Sequence, residues 1–150
     1  MRHSYVTCLV HYVFSTTARR PLITSPMKER LWAYIGGTAR RKGMKALAVG
    51  GTEDHIHALV SIPSTISVAV GIQVIKANSS KWVHDSFPSA SDFAWQAGYG
   101  AFSLSVSLVP NTIEYIRNQE THHKARSFEQ EFLSFLVKHG IRHLDRENWE

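Results

Sequence analysis

The chain has a single cysteine in 150 residues, Cys8, which excludes an internal disulfide and a cysteine-rich zinc knuckle. Long apolar runs are missing as well; none approaches the roughly 20 residues that a membrane-spanning helix needs. The opening M-R-H-S-Y-V lacks a signal-peptide pattern, so a cytoplasmic protein is expected. Low-complexity segments, internal repeats and interdomain linkers are absent, and residues 1–150 read as a single domain. What is present is an ordinary globular balance, 43% hydrophobic and 19% charged, with enough chain to bury a core. The formal net charge of +5 points toward a polyanion such as nucleic acid without selecting one.

Periodicity places the elements. In S-Y-V-T-C-L-V-H-Y-V-F, Val6, Cys8, Val10, Tyr12 and Phe14 alternate onto one face, the mark of a strand, with Cys8 as a buried thiol. Ser25 as N-cap and Pro26 in the first helical position open a helix on which Met27, Leu31, Tyr34 and Ile35 recur before Gly43. Residues 44–50 form a second strand, and Gly50-Gly51 turns it toward a third at 55–62. A helix from about 65 to 84 carries Val68, Ile72, Ile75 and Trp82 on one stripe. From Trp95 to Ser107 the pattern is a strand interrupted at Gly98 and Gly100. Pro110 opens a short helix to about Gln119, and Ser127 with Gln130 predicts a capped last helix ending at Gly140. This order is the α+β, ferredoxin-like βαββαβ pattern: an antiparallel sheet with helices on one face, and C-terminal helices appended. The other face is expected to be free for a ligand or a second subunit.

The third strand begins E-D-H-I-H. Residues i and i+2 share a face with anchors about 6.5 Å apart, so His55 and His57 can converge on one small ion. An ordinary polar sheet face accommodates the same pair. On the helix P-N-T-I-E-Y-I-R-N-Q-E, Tyr115 and Gln119 lie one turn apart. Taken singly, they read as an ordinary core residue and a solvated one. Together with the histidines they supply what breaking a phosphodiester requires. A phenol with a pKa near 10 needs help to act as a nucleophile. The charge on a transferring phosphate can be absorbed by a divalent cation. Two imidazoles and an amide oxygen form a neutral ligand set that suits Mn²⁺ and tolerates Mg²⁺ or Zn²⁺.

The pattern His-hydrophobic-His on a strand, with Y-I-R-N-Q on a later helix, resembles the HUH single-tyrosine transposases of insertion sequences and their REP-associated type. The likeness runs through H-Y-V-F-S-T-T-A-R-R-P-L-I at 11–23, S-S-K-W-V at 79–83, W-Q-A-G-Y-G-A-F-S-L-S at 95–105 and Y-I-R-N-Q-E-T-H-H-K-A-R-S-F-E-Q-E at 115–131. It implies a DNA transposase that cleaves and rejoins single-stranded DNA through a 5′-phosphotyrosine at hairpin ends of a mobile element. The roles implied are Tyr115 as nucleophile and His55, His57 and Gln119 as ligands of a divalent Mg²⁺ or Mn²⁺ ion. Also implied are a homodimer in which Tyr115 of one subunit meets the histidines of the other, and a cytoplasmic, nucleoid-associated location away from membranes. Glu53 departs from the pattern, standing where relatives carry a small residue or proline.

Arg19, Arg20, Arg40, Arg41, Lys42, Lys76 and Lys81 are candidate phosphate contacts, which add salt dependence rather than specificity. Tyr99 suits stacking on unpaired bases, whereas Trp95 and Phe102 suit the core. His122 and His123 read as a solvated pair. Three alternatives stand beside the transposase. One is a domesticated enzyme that nicks and joins repeat hairpins, and another is metal-dependent hydrolysis by water with Tyr115 structural. The third is a non-catalytic nucleic-acid-binding module, against which the lack of a K/R-G-F-x-F-V-type strand counts.

Overall fold

The computed structural model describes residues 3–123 and 126–141. The C-terminal tail from residue 142, to which no site is assigned, lies outside them. The elements are β1 (Leu9–Ser15), α1 (Ser25–Arg41), β2 (Lys45–Gly51), β3 (His55–Ser61), α2 (Val68–Ser86) and β4 (Gly100–Ser103). Three C-terminal helices follow, α3 (Val109–Arg117), α4 (Gln119–His122) and α5 (Phe128–Lys138). The strands pair in the order β2-β3-β1-β4, every pair antiparallel. This is the ferredoxin-like sheet that the sequence pattern predicts.

Alternation divides the central strands into two unlike faces. Val10, Tyr12 and Phe14 of β1 and Ile56, Ala58 and Val60 of β3 point to α1 and α2. There they meet Met27, Leu31, Ile35, Ile72 and Ile75, and this layer is the main core. Full burial of each such side chain contributes about 1.5–3 kcal/mol. The opposite face is the one expected to be free. It is instead covered within the same chain: Phe132 and Leu136 of α5 pack on Val13 and Phe102. The helices thus lie on both faces, and the site between the sheet and its second layer is internal.

Local chemistry accounts for the boundaries. Gly43 and Gly140, at φ +81° and +68°, follow the caps of α1 and α5. At α5 the Gly140 and Ile141 N–H groups donate back to the Val137 and Leu136 carbonyls, the double hydrogen bond of a Schellman turn. The Ser127 capping box forms as expected. Three predicted spans are trimmed. The helix α2 starts at Val68 because Ser67 accepts the Val70 N–H. The last strand shrinks to four residues because Gly98 turns the chain at φ +89°, leaving Trp95 only a bridge to Thr16. The Tyr115 helix breaks at Asn118, so Gln119 begins a separate turn.

Two glycines set how closely the second layer approaches. A Cβ built on Gly50 would lie 2.5 Å from the Ile116 carbonyl oxygen of α3. One on Gly100 would meet the Phe132 ring of α5 at 2.7 Å. The first obstacle is backbone and cannot yield; the second is the edge of a side chain. Gly50→Ala is therefore expected to destabilise by about 1–3 kcal/mol, the usual range for overpacking, and by more than Gly100→Ala. Denaturant midpoints of the two variants check the order.

Candidate active site

The alternation that buries Ile56 and Ala58 under α1 and α2 sends His55 and His57 to the opposite face, both fully buried. Each ring has its Nδ1 side occupied. His55 Nδ1 lies 2.7 Å from Asp54 Oδ1 and 2.9 Å from Thr52 Oγ1, at the turn between β2 and β3. His57 Nδ1 lies 2.7 Å from Nε2 of His11, a buried residue of β1. Both Nε2 atoms therefore face the C-terminal helices, and such backing groups fix the tautomer and orientation of a ligating imidazole.

The helices bring oxygen atoms to meet them. Gln119, buried on α4, places Oε1 3.1 Å from His55 Nε2, while its Nε2 donates to the Tyr115 carbonyl at 3.3 Å. The amide is thus held with its oxygen toward the histidines. Glu131, fully buried on α5, sets Oε1 2.8 Å from His57 Nε2 and 3.2 Å from His123 Nε2. The Tyr115 hydroxyl donates to the other oxygen of Glu131. Its ring lies 5.7 Å from that of His57 and stacks at 4.6 Å on His122.

Burial governs the electrostatics. It draws the His57 imidazole down to about 4 despite the adjacent Glu131 carboxylate, so the ring is neutral at physiological pH. Burial and the neighbouring His57 hold His11 well below the usual histidine range. Burial, reinforced by Glu131, pushes the Tyr115 phenol up to about 12. Burial alone would raise Glu131, but its hydrogen bonds with His57 and Tyr115 hold the carboxyl well below the usual carboxylate range. Burial alone would raise Asp54 too, but its interactions with His55 and the hydrogen bond from Thr52 together hold it below the usual carboxylate value.

The donor set fits a divalent cation. The His55 tautomer that donates Nδ1–H to Asp54 aims the Nε2 lone pair at the Gln119 oxygen, and a cation between two such acceptors resolves their conflict. His55, His57, His123 and Glu131 offer ligand atoms that all lie within 4.8 Å of one another. Several of the separations quoted above are close to the edges of about 3.0–3.4 Å expected for bonds of about 2.1 Å. Glu131 and His123 are absent from the sequence reading of the metal site, which treated His123 as solvated.

Beside Tyr115 opens a cavity of about 390 Å³ lined by His11, Asn111, Thr112, Arg126, Phe135 and Lys138 among others. The cations singled out from sequence do not line it. Arg19 pairs with Glu129 at 3.3 Å and Arg20 with Asp92 at 2.8 Å. Lys76 donates to the Gln96 and Gly98 carbonyls, and Lys81 pairs with Asp85 at 2.9 Å. Arg40, Arg41 and Lys42 end α1, beneath the opposite face of the sheet. Phe102 is buried as expected, Trp95 packs edge-on against Phe14 and Phe93, and Tyr99 is partly exposed.

A family model described as "Transposase IS200 like" matches residues 4–119 of this chain. The chain belongs to the IS200-like transposase family. A candidate transposase from Deinococcus radiodurans R1 has a similar structure, with TM-score 0.64 and 18% identity over 79% of this chain and 95% of that one. A REP-associated tyrosine transposase bound to a REP hairpin is similar at TM-score 0.58 and 14% identity, over 82% and 73% of the two chains. No curated protein matches. Among the described residues, no helix is long and apolar enough to cross a membrane.

The lowered groups of this transposase give a pH dependence of one sign. His57 titrates near 4 when folded and about 6.5 when unfolded, so the unfolded state binds more protons between those values. Its contribution falls as pH drops through that window. Glu131 and Asp54 lose stabilisation on further acidification. For EDTA-treated protein, Tm should fall by several degrees between pH 7 and pH 4, and His57→Asn should flatten the upper part of that decline. Calorimetry across the range checks both.

Proposed function

We propose that this protein cuts and rejoins single-stranded DNA through a 5′-phosphotyrosine on Tyr115, with His55, His57 and Gln119 holding a divalent Mg²⁺ or Mn²⁺ ion. The observation that carries this reading is the convergence, inside one chain, of a phenol with two imidazole nitrogens and an amide oxygen. When bound, the cation polarises a phosphate and offsets its developing charge. The protein supplies the rest. Nδ1 contacts from Asp54, Thr52 and His11 orient the ligands. His122 braces the phenol ring from one side. Tyr115 Oη bonds to phosphorus as the P–O3′ bond breaks; the phenol loses one proton and the 3′ oxygen gains one. The ester is conserved in the phosphotyrosine, so rejoining needs no high-energy cofactor.

The cavity beside Tyr115 supports the substrate class. Its volume lies in the range of small-ligand sites, Arg126 and Lys138 offer charge to flanking phosphates, and Phe135 and Tyr115 offer stacking faces. Folded hairpin ends are the DNA proposed for this chain, by analogy with the hairpin bound to its structural relative. The family resemblance favours a homodimer in which Tyr115 and the histidines come from different subunits, with assembly in cis as the alternative. Here they meet in one chain, and we infer assembly in cis.

Incubation with labelled single-stranded DNA and Mn²⁺ should give a protein–DNA adduct that survives denaturation. Tyr115→Phe should abolish it while retaining DNA binding, and EDTA should abolish it reversibly. An adduct formed by Tyr115→Phe would refute the nucleophile. Mixing Tyr115→Phe chains with His57→Ala chains should restore no activity, since each chain carries one lesion. Recovery in confirmed heterodimers would establish exchange between subunits.

A further inference from the structure

Glu131 lies outside the nucleophile helix and outside the set of three metal ligands, yet it is the most densely engaged side chain of the site. It is a fully buried carboxylate whose Oε1 lies 2.8, 3.2 and 3.7 Å from Nε2 of His57, His123 and His55. Burying a carboxylate is costly unless a positive charge compensates it.

We propose that Glu131 and His123 complete the coordination of the divalent cation in DNA-free protein, and that the scissile phosphate enters by displacing the Glu131 carboxylate. The proposal rests on the metal reading above. Three features carry it. The oxygen and nitrogen donors of His55, His57, His123 and Glu131 converge within 4.8 Å, on a scale that bonds of about 2.1 Å can close. Imidazoles and an amide leave both charges of the cation uncompensated in a buried site, and one carboxylate halves that burden. A phosphodiester carries the same single negative charge, so the exchange conserves the charge bound directly to the cation.

The Tyr115 hydroxyl adds direction to the argument. It donates to the Glu131 oxygen that His57 does not contact. An anion in that place, bridging the phenol and the histidines, occupies the position a phosphate needs for attack by Tyr115. The carboxylate is therefore a stand-in for substrate, delivered by α5 and anchored through Phe132 and Leu136 on Val13 and Phe102.

Titration calorimetry of Mn²⁺ into full-length, DNA-free protein tests the ligand role. Glu131→Gln, which keeps the size and removes the charge, should weaken binding at least tenfold, His123→Ala should also weaken it, and His57→Ala should abolish it. Unchanged affinity in Glu131→Gln beside loss in His57→Ala overturns this proposal alone. Unchanged affinity in both overturns the metal reading with it. If Glu131→Gln fails to fold, unchanged affinity in His123→Ala decides against the completed ligand set. The displacement has a separate readout. At saturating Mn²⁺, Glu131→Gln should lower KM for single-stranded DNA about fivefold, because a competing anion is gone. A KM that stays level or rises overturns displacement.

Discussion

A buried imidazole has two ring nitrogens to satisfy, and this sheet buries His11, His55 and His57 side by side on one face. A buried polar atom left without a partner costs about 1–3 kcal/mol, so three such rings dictate what must cover them. The turn before β3 supplies Asp54 and Thr52, α4 supplies Gln119 and α5 supplies Glu131. Among the described residues, no buried side-chain polar atom lacks a partner. The second helical layer is therefore organised around a polar centre with apolar margins, the reverse of the first layer, where aliphatic packing is continuous.

Much of this was legible because it is written in short-range spacing. The alternation of β3 put His55 and His57 on one face, and the Ser127–Gln130 signature located the start of α5. The ferredoxin-like order followed from the succession of periods. Glu131 escaped because its role depends on a contact with a strand 74 residues away, which no local window carries. A signal did exist: Phe128, Phe132, Phe135 and Leu136 share a helical stripe with Glu131, and a carboxylate in an apolar stripe requires a buried partner. His123, one turn after Gln119, carried the same hint. The freedom expected for the second face failed because the C-terminal helices were counted as additions and not as a layer.

The basic residues separate by how firmly they are held. Arg19 and Arg20 sit in exposed ion pairs, which are worth about 0–1 kcal/mol each and yield easily to a phosphate. Lys76 differs, since burial lowers its pKa and two carbonyls fix its ammonium to the loop after Trp95. It serves the fold. A count of cations in the sequence treats these residues alike, although only partly exposed charge can be transferred to a nucleic acid at low cost.

The contact between Gly50 and the Ile116 carbonyl bears on positional precision. Side chains that hold two elements apart have rotamers, and each rotamer is a different spacing. Where two backbones touch directly there is none to choose, and the gap has a single value. Tyr115 is the residue next to that contact, so the main chain that carries its phenol is held at close range to the sheet edge strand β2. A side chain added at Gly50 would therefore move the nucleophile helix itself, and with it the phenol.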